Sequence, residues 1–131
     1  MNKLARKQAH SLFCAQFGEI CRAHGGTYSE TDALGDGAAY RIPTPFGELR
    51  ASTAFFSAGP GHEHKTTLGT VYLCWRDYTG PLPFPLHGDF NRFSHKWNIH
   101  CAGATLEDSR RHALNELRVR LELLAEMGVQ S

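Results

Sequence analysis

The sequence predicts an α+β domain: an N-terminal and a C-terminal helix packed on one face of an antiparallel sheet of about four strands. Three observations carry this. An amphipathic segment stands at each end of the chain, alternating apolar and polar runs lie between them, and glycine- or proline-rich turns separate the runs. At 131 residues the chain fits a single domain over residues 1–131, large enough to bury one core.

From Lys3 to His24 the apolar residues Ala9, Phe13, Phe17 and Ile20, flanked by Leu12 and Cys21, recur at helical spacing, and Gly25-Gly26 supplies a stop. The following TYSETDALGDGAA lacks apolar periodicity and reads as a surface connection with one short strand at its start. AYRIPTPFGELRASTAF then reads as a β-hairpin around Pro-Thr-Pro-Phe-Gly, because Leu49, Ala51, Thr53 and Phe55 alternate with Glu48, Arg50 and Ser52.

Gly59 to Gly69 is expected to be loop. In TVYLCWR, Val71, Leu73 and Trp75 fall on one face and Tyr72, Cys74 and Arg76 on the other, as in a central strand. Pro81, Pro83 and Pro85 lie in a long loop, since prolines at alternate positions cannot donate to a ladder. Lys96 to Cys101 is expected to be the last strand, with Trp97, Ile99 and Cys101 facing the core and Lys96, Asn98 and His100 facing away. The final helix opens at the capping-box pattern Thr105-Leu-Glu-Asp108 and runs through Ala113, Leu114, Leu117, Leu121 and Leu124 to a stop at Gly128.

The formal charge of +1 excludes bulk electrostatic attraction to nucleic acid or anionic membrane, so any such binding must come from a local patch. MNKLARKQAH has no apolar run of the kind a secretory signal needs, and no segment approaches a membrane span; a cytoplasmic protein is expected. Cys14, Cys21, Cys74 and Cys101 lack zinc-ribbon spacing and read as reduced thiols.

With both helices on one face, the other face of the sheet is open. Lys96, Asn98 and His100, joined by Tyr72 and Arg76 and by Arg50 of the hairpin, form the candidate binding surface. A plain solvated face is the competing explanation, because outward residues of a one-sided sheet are normally polar. Lys, Asn and His are nevertheless poor strand formers, and three at alternate positions invite a reason beyond propensity.

The segment Asn91-Arg-Phe-Ser-His-Lys-Trp-Asn-Ile-His100 resembles the N-P-[FY]-S-G-K-W-N-x-H segment of small bacterial, plasmid and phage proteins, in which an aromatic-rich strand similar to Gly69–Arg76 tends to precede it. Arg92 replaces the usual proline and His95 the usual glycine. The resemblance implies a mobile-element setting and that Asn91, Ser94, Lys96, Asn98 and His100 occupy the positions of that polar motif; it implies no mechanism.

Other chemistry is weaker. His62 and His64 form an HxH pair in a glycine-flanked loop that would need further ligands for zinc; no metal and no cofactor are expected. Cys74 near His100 lacks an orienting third group, and no P-loop, HExxH or GxSxG is present. Lys3, Arg6, Lys7 and His10 share a face of the first helix where they could meet phosphates; Arg111 and Arg118 share a face of the last, with Glu116, Glu122 and Glu126 as expected intrahelical partners.

The first functional reading is therefore a non-enzymatic interaction protein of a mobile element, an anti-CRISPR-like inhibitor of a host protein or nucleoprotein complex, with homodimerisation through the open face as a variant. A small metal-dependent or cysteine/histidine enzyme is the second. Direct single-stranded nucleic-acid binding through Tyr72, Trp75 or Lys96 is the third.

Overall fold

Helix α1 (Lys3–Ala23) buries Phe13, Phe17, Ile20 and Cys21, the stripe that the periodicity marks. It ends in a Schellman motif: Gly26 N–H donates to the Cys21 carbonyl at 2.8 Å and Gly25 N–H to the Arg22 carbonyl at 3.1 Å, with Gly25 at φ 82°. That positive φ suits a residue without Cβ, which explains the Gly-Gly stop.

These details come from a computed structural model that describes residues 3–32, 37–53, 70–75, 96–100 and 105–130. After α1 come β1 (Thr27–Tyr28), a 3-10 turn at Glu30–Asp32, β2 (Ala39–Thr44), β3 (Gly47–Thr53), β4 (Thr70–Trp75), β5 (Ile99–His100) and helix α2 (Leu106–Gln130). The strands make one antiparallel sheet in the sequential order β1-β2-β3-β4-β5, whose outer strands are two residues each. The loops expected at Gly59–Gly69 and around Pro81–Pro85 lie outside the described residues.

Thr44 pairs with Gly47 across the Pro45-Phe46 turn of the hairpin. The Thr44 hydroxyl donates to the Gly47 carbonyl at 2.6 Å and accepts from Phe46 N–H at 3.2 Å and from the Trp75 indole N–H at 2.9 Å. One side chain thus closes the turn and satisfies the buried indole.

Tyr40, Ile42, Leu49, Ala51, Val71, Leu73, Trp75, Trp97 and Ile99 project from one face of the sheet into a single core with α1 and α2. Both helices therefore cover the same face, as expected. Ala113, Leu114, Leu117, Leu121 and Leu124 supply the buried stripe of α2. Its N-terminus is capped by Thr105, whose hydroxyl accepts from Asp108 N–H at 3.1 Å. The expected stop at Gly128 is corrected: the helix runs on to Gln130. An isolated glycine costs about 1 kcal/mol in a helix and does not by itself end one.

The last strand also departs from expectation. Instead of a continuous run from Lys96, the segment makes an isolated bridge between Lys96 and Cys74, leaves the strand at Trp97 and Asn98, and re-enters it at Ile99. Arg120 on α2 is the cause. The residue is only 5% exposed, and its guanidinium lies 4.8 Å from the centre of the Trp97 ring, donates from Nη1 to the Trp97 carbonyl and, at 3.3 Å, to that of Asn98, and pairs through Nε with Glu116 at 3.2 Å. Trp97 N–H still reaches the Leu73 carbonyl at 2.8 Å. The returning bond is made by a side chain: Leu73 N–H donates to Asn98 Oδ1 at 3.1 Å.

The inside and outside assignments of this segment hold for the described side chains: Trp97 and Ile99 are buried and Lys96 is exposed. Trp97 also stacks on Trp75, ring centres 6.1 Å apart. Trp97→Ala is expected to cost about 3 to 5 kcal/mol in chemical denaturation, within the range for emptying a large aromatic site, while Lys96→Ala stays within about 0.5 kcal/mol of wild type. Equal midpoints for the two variants would refute this register.

Candidate functional site

The outward residues of the sheet line up across the strands. Thr27 pairs with Arg41, Arg41 with Arg50, Arg50 with Cys74, and Cys74 with Lys96, so one row perpendicular to the strands carries Arg41, Arg50 and Lys96. The neighbouring pair is Ser52 and Tyr72, the latter 38% exposed.

Two arginines directly opposite each other on adjacent strands repel. Asp32, at the end of the 3-10 turn, relieves the conflict by lying between them, its Oδ2 3.0 Å from Arg41 Nε and its Oδ1 3.4 Å from Arg50 Nη1, and Glu48 Oε1 stands 3.8 Å from the same Arg41 Nε. Ser29 Oγ donates to the same carboxylate at 2.7 Å. That hydrogen bond and the one from Arg41 hold the Asp32 carboxyl below the usual carboxylate range.

Further along the row compensation is incomplete. Arg50 Nε is buried without a hydrogen-bond partner, and Lys96 makes no ion pair among the described residues. Arg50 and Lys96 flank Cys74 from either side, with Cα atoms about 10 Å apart, two inter-strand spacings. A carboxylate or phosphate oxygen seated there would face the Lys96 ammonium group and the partly exposed side of the Arg50 guanidinium.

Of the residues expected at this surface, Arg50, Tyr72 and Lys96 share the outer face. Asn98 lies beside it, but its amide oxygen is spent on the β4 backbone, so its role in the described structure is architectural. His100 pairs with Thr70 through its backbone, and its side chain lies outside the described residues, as do Arg76, His62, His64, Asn91 and Ser94. Trp75 is 1% exposed on the helix-covered side, which removes it as a stacking platform. Arg41 and Asp32 were missed; the alternation of AYRI could have placed Arg41, whereas Asp32 sits in a segment without periodicity.

The thiols and remaining candidates are placed as follows. Burial raises the Cys21 thiol to about 12, which leaves it inert, and raises Cys14 as well. His10 is corrected: it is not on a phosphate-facing surface but 4% exposed, with Nε2 3.4 Å from Cys14 Sγ. The side chains of Lys3, Arg6 and Lys7 lie outside the described residues. Among the described residues no group of three His, Cys, Asp or Glu side chains could hold a metal ion, and no helix is long and apolar enough to cross a membrane. No family model, curated protein or solved structure matches the chain.

Two predictions follow from this geometry. Asn98→Leu leaves the Leu73 N–H unsatisfied and is expected to lower stability by about 1 to 3 kcal/mol in urea unfolding, while Asn98→Asp, which keeps the acceptor, loses less. Equal losses would remove the ladder role. For Asp32 the folded carboxyl is the stronger acid, so its contribution is complete above the unfolded value of about 3.9 and fades as pH falls through the folded value. Stability of the wild type should therefore drop towards that of Asp32→Asn as acid is added below about pH 4, and a constant gap between the two would contradict the assignment.

Proposed function

We propose that this is a non-enzymatic interaction protein whose outer sheet face recognises an acidic surface on a protein or nucleoprotein complex. The observation that carries this reading is the row Arg41–Arg50–Cys74–Lys96, in which Asp32 and Glu48 answer the two arginines while the exposed Lys96 makes no ion pair among the described residues. Tyr72, half-exposed beside the row, supplies the amphipathic contact that enriches binding hot spots. A partner carboxylate meeting these cations would be steered by charge and held by paired donors.

A mobile-element setting and inhibition of a host nucleoprotein machine as the outcome rest on the resemblance of Asn91–His100 to small plasmid and phage proteins, and belong to the same proposal. Direct single-strand binding is less well supported, because Tyr72 is the one exposed aromatic among the described outward strand residues of β2, β3 and β4.

The test is affinity capture from the native host, followed by titration of the purified partner against wild type, Arg50→Glu/Lys96→Glu, and a chain shortened between Thr79 and His87. The double charge reversal is expected to weaken binding at least a hundredfold while unfolding remains cooperative. Unchanged affinity in that variant, with loss in the shortened chain, would transfer recognition to the proline-rich segment.

A further inference from the structure

On the side of the molecule away from the outer sheet face lies a second charged feature: an open groove of about 520 Å³ lined by Gln16 of α1 and, on α2, by Arg110, Arg111, Arg118, His112, Leu114 and Asn115. Arg110, Leu114 and Arg118 are spaced i, i+4, i+8 and so run as one row along the flank of α2 that faces α1; Arg111, Asn115 and Arg118 form the adjoining row.

The lining holds three guanidinium groups, one imidazole, two amides and no carboxylate. Glu107 at the rim is shared, 2.8 Å from Arg111 Nη2 and 3.6 Å from Arg110 Nη2. The expected intrahelical partners do not serve Arg118: Glu116 is committed to Arg120 on the buried side, and no ion pair joins Arg118 to Glu122 at i+4. Arg110 is held in place by its Nη1 donating to Gln16 Oε1 at 2.7 Å, which aims a partly buried guanidinium along the groove and leaves the Gln16 amide nitrogen as a further donor.

We propose that this groove is a binding site for a small polyphosphate-bearing ligand. Planar guanidinium forks match phosphate oxygens in pairs, and three of them within about two helical turns suit one multiply charged group better than separate single charges. The volume lies in the small-ligand range. The lining contains no Phe, Tyr or Trp ring on which successive bases could stack, which sets the site apart from a single-strand channel. It shares no residue with the outer sheet face, so the two proposals stand or fall separately.

The test is calorimetric titration of the full chain with sodium pyrophosphate at low ionic strength, with wild type, Arg118→Ala, Arg111→Ala and, as a control on the opposite face, Lys96→Ala. Saturable one-to-one binding is expected, weakened at least tenfold by each arginine substitution and unchanged by Lys96→Ala, with the amide resonances of Gln16, Leu114 and Asn115 shifting on addition of pyrophosphate. Arg111 and Arg118 are exposed, so both variants are expected to fold as wild type, and a thermal melt checks this. No saturable heat at millimolar pyrophosphate, or equal weakening by Lys96→Ala, would overturn the proposal. So would affinity only for a single-stranded oligonucleotide, growing with its length.

Discussion

The buried guanidinium of Arg120 is the constraint around which the last strand is arranged. A charge taken out of water must be paired and hydrogen-bonded or it costs several kcal/mol. Here Glu116 neutralises it through Nε and the carbonyls of Trp97 and Asn98 accept from Nη1, while the Trp97 ring lies against its face. Committing the Trp97 carbonyl to Arg120 diverts it from the sheet. The Asn98 amide fills the place so left, donated to by Leu73 N–H, and pairing with β4 resumes at Ile99. Helix α2, the Trp75–Trp97 stack and the edge of the sheet are thereby joined by one network.

That network also separates the two sides of the sheet chemically. The inward side holds the tryptophans, Leu49, Leu73 and Ile42 against the helices, and its polar needs are met locally by Thr44 and Arg120. The outward side is left with a line of like charges that a sheet would ordinarily avoid. Asp32 makes the arrangement tolerable for Arg41 and Arg50 but does not extend to Lys96, so repulsion is relieved at one end of the row and retained towards the other.

How much of this the sequence disclosed depends on how local each cause is. Both helices, the hairpin, β4 and the inward placement of Trp97 follow from periodicities of a few residues, and the Gly25-Gly26 stop and the Thr105 cap from motifs of similar length. Asn98 also alternates outward, and nothing within its own segment reveals that Arg120, across the fold on α2, claims the preceding carbonyl. His10 likewise fits a basic face by spacing, yet its ring packs inward beside Cys14. Asp32 lies in an aperiodic stretch and acquires its role only when β2 and β3 bring two arginines to it. Helical spacing offered Arg118 a partner that the folded helix does not use, because side-chain pairing at i, i+4 is worth only about 0.2 to 0.5 kcal/mol and is readily forgone.

A formal charge of +1 hides this distribution. On the sheet, Asp32 is shared by two arginines and Glu48 adds a longer contact to Arg41; beside α1, Glu107 is shared by Arg110 and Arg111. In both places a cation follows without an ion pair among the described residues, Lys96 in one and Arg118 in the other. Attraction at short range depends on this local imbalance, because fields from distant charges are screened within about 8 to 10 Å at ordinary ionic strength. A chain nearly neutral in total can therefore present two separate cationic surfaces, and the shared carboxylates fix the orientation of the guanidiniums without cancelling their charge.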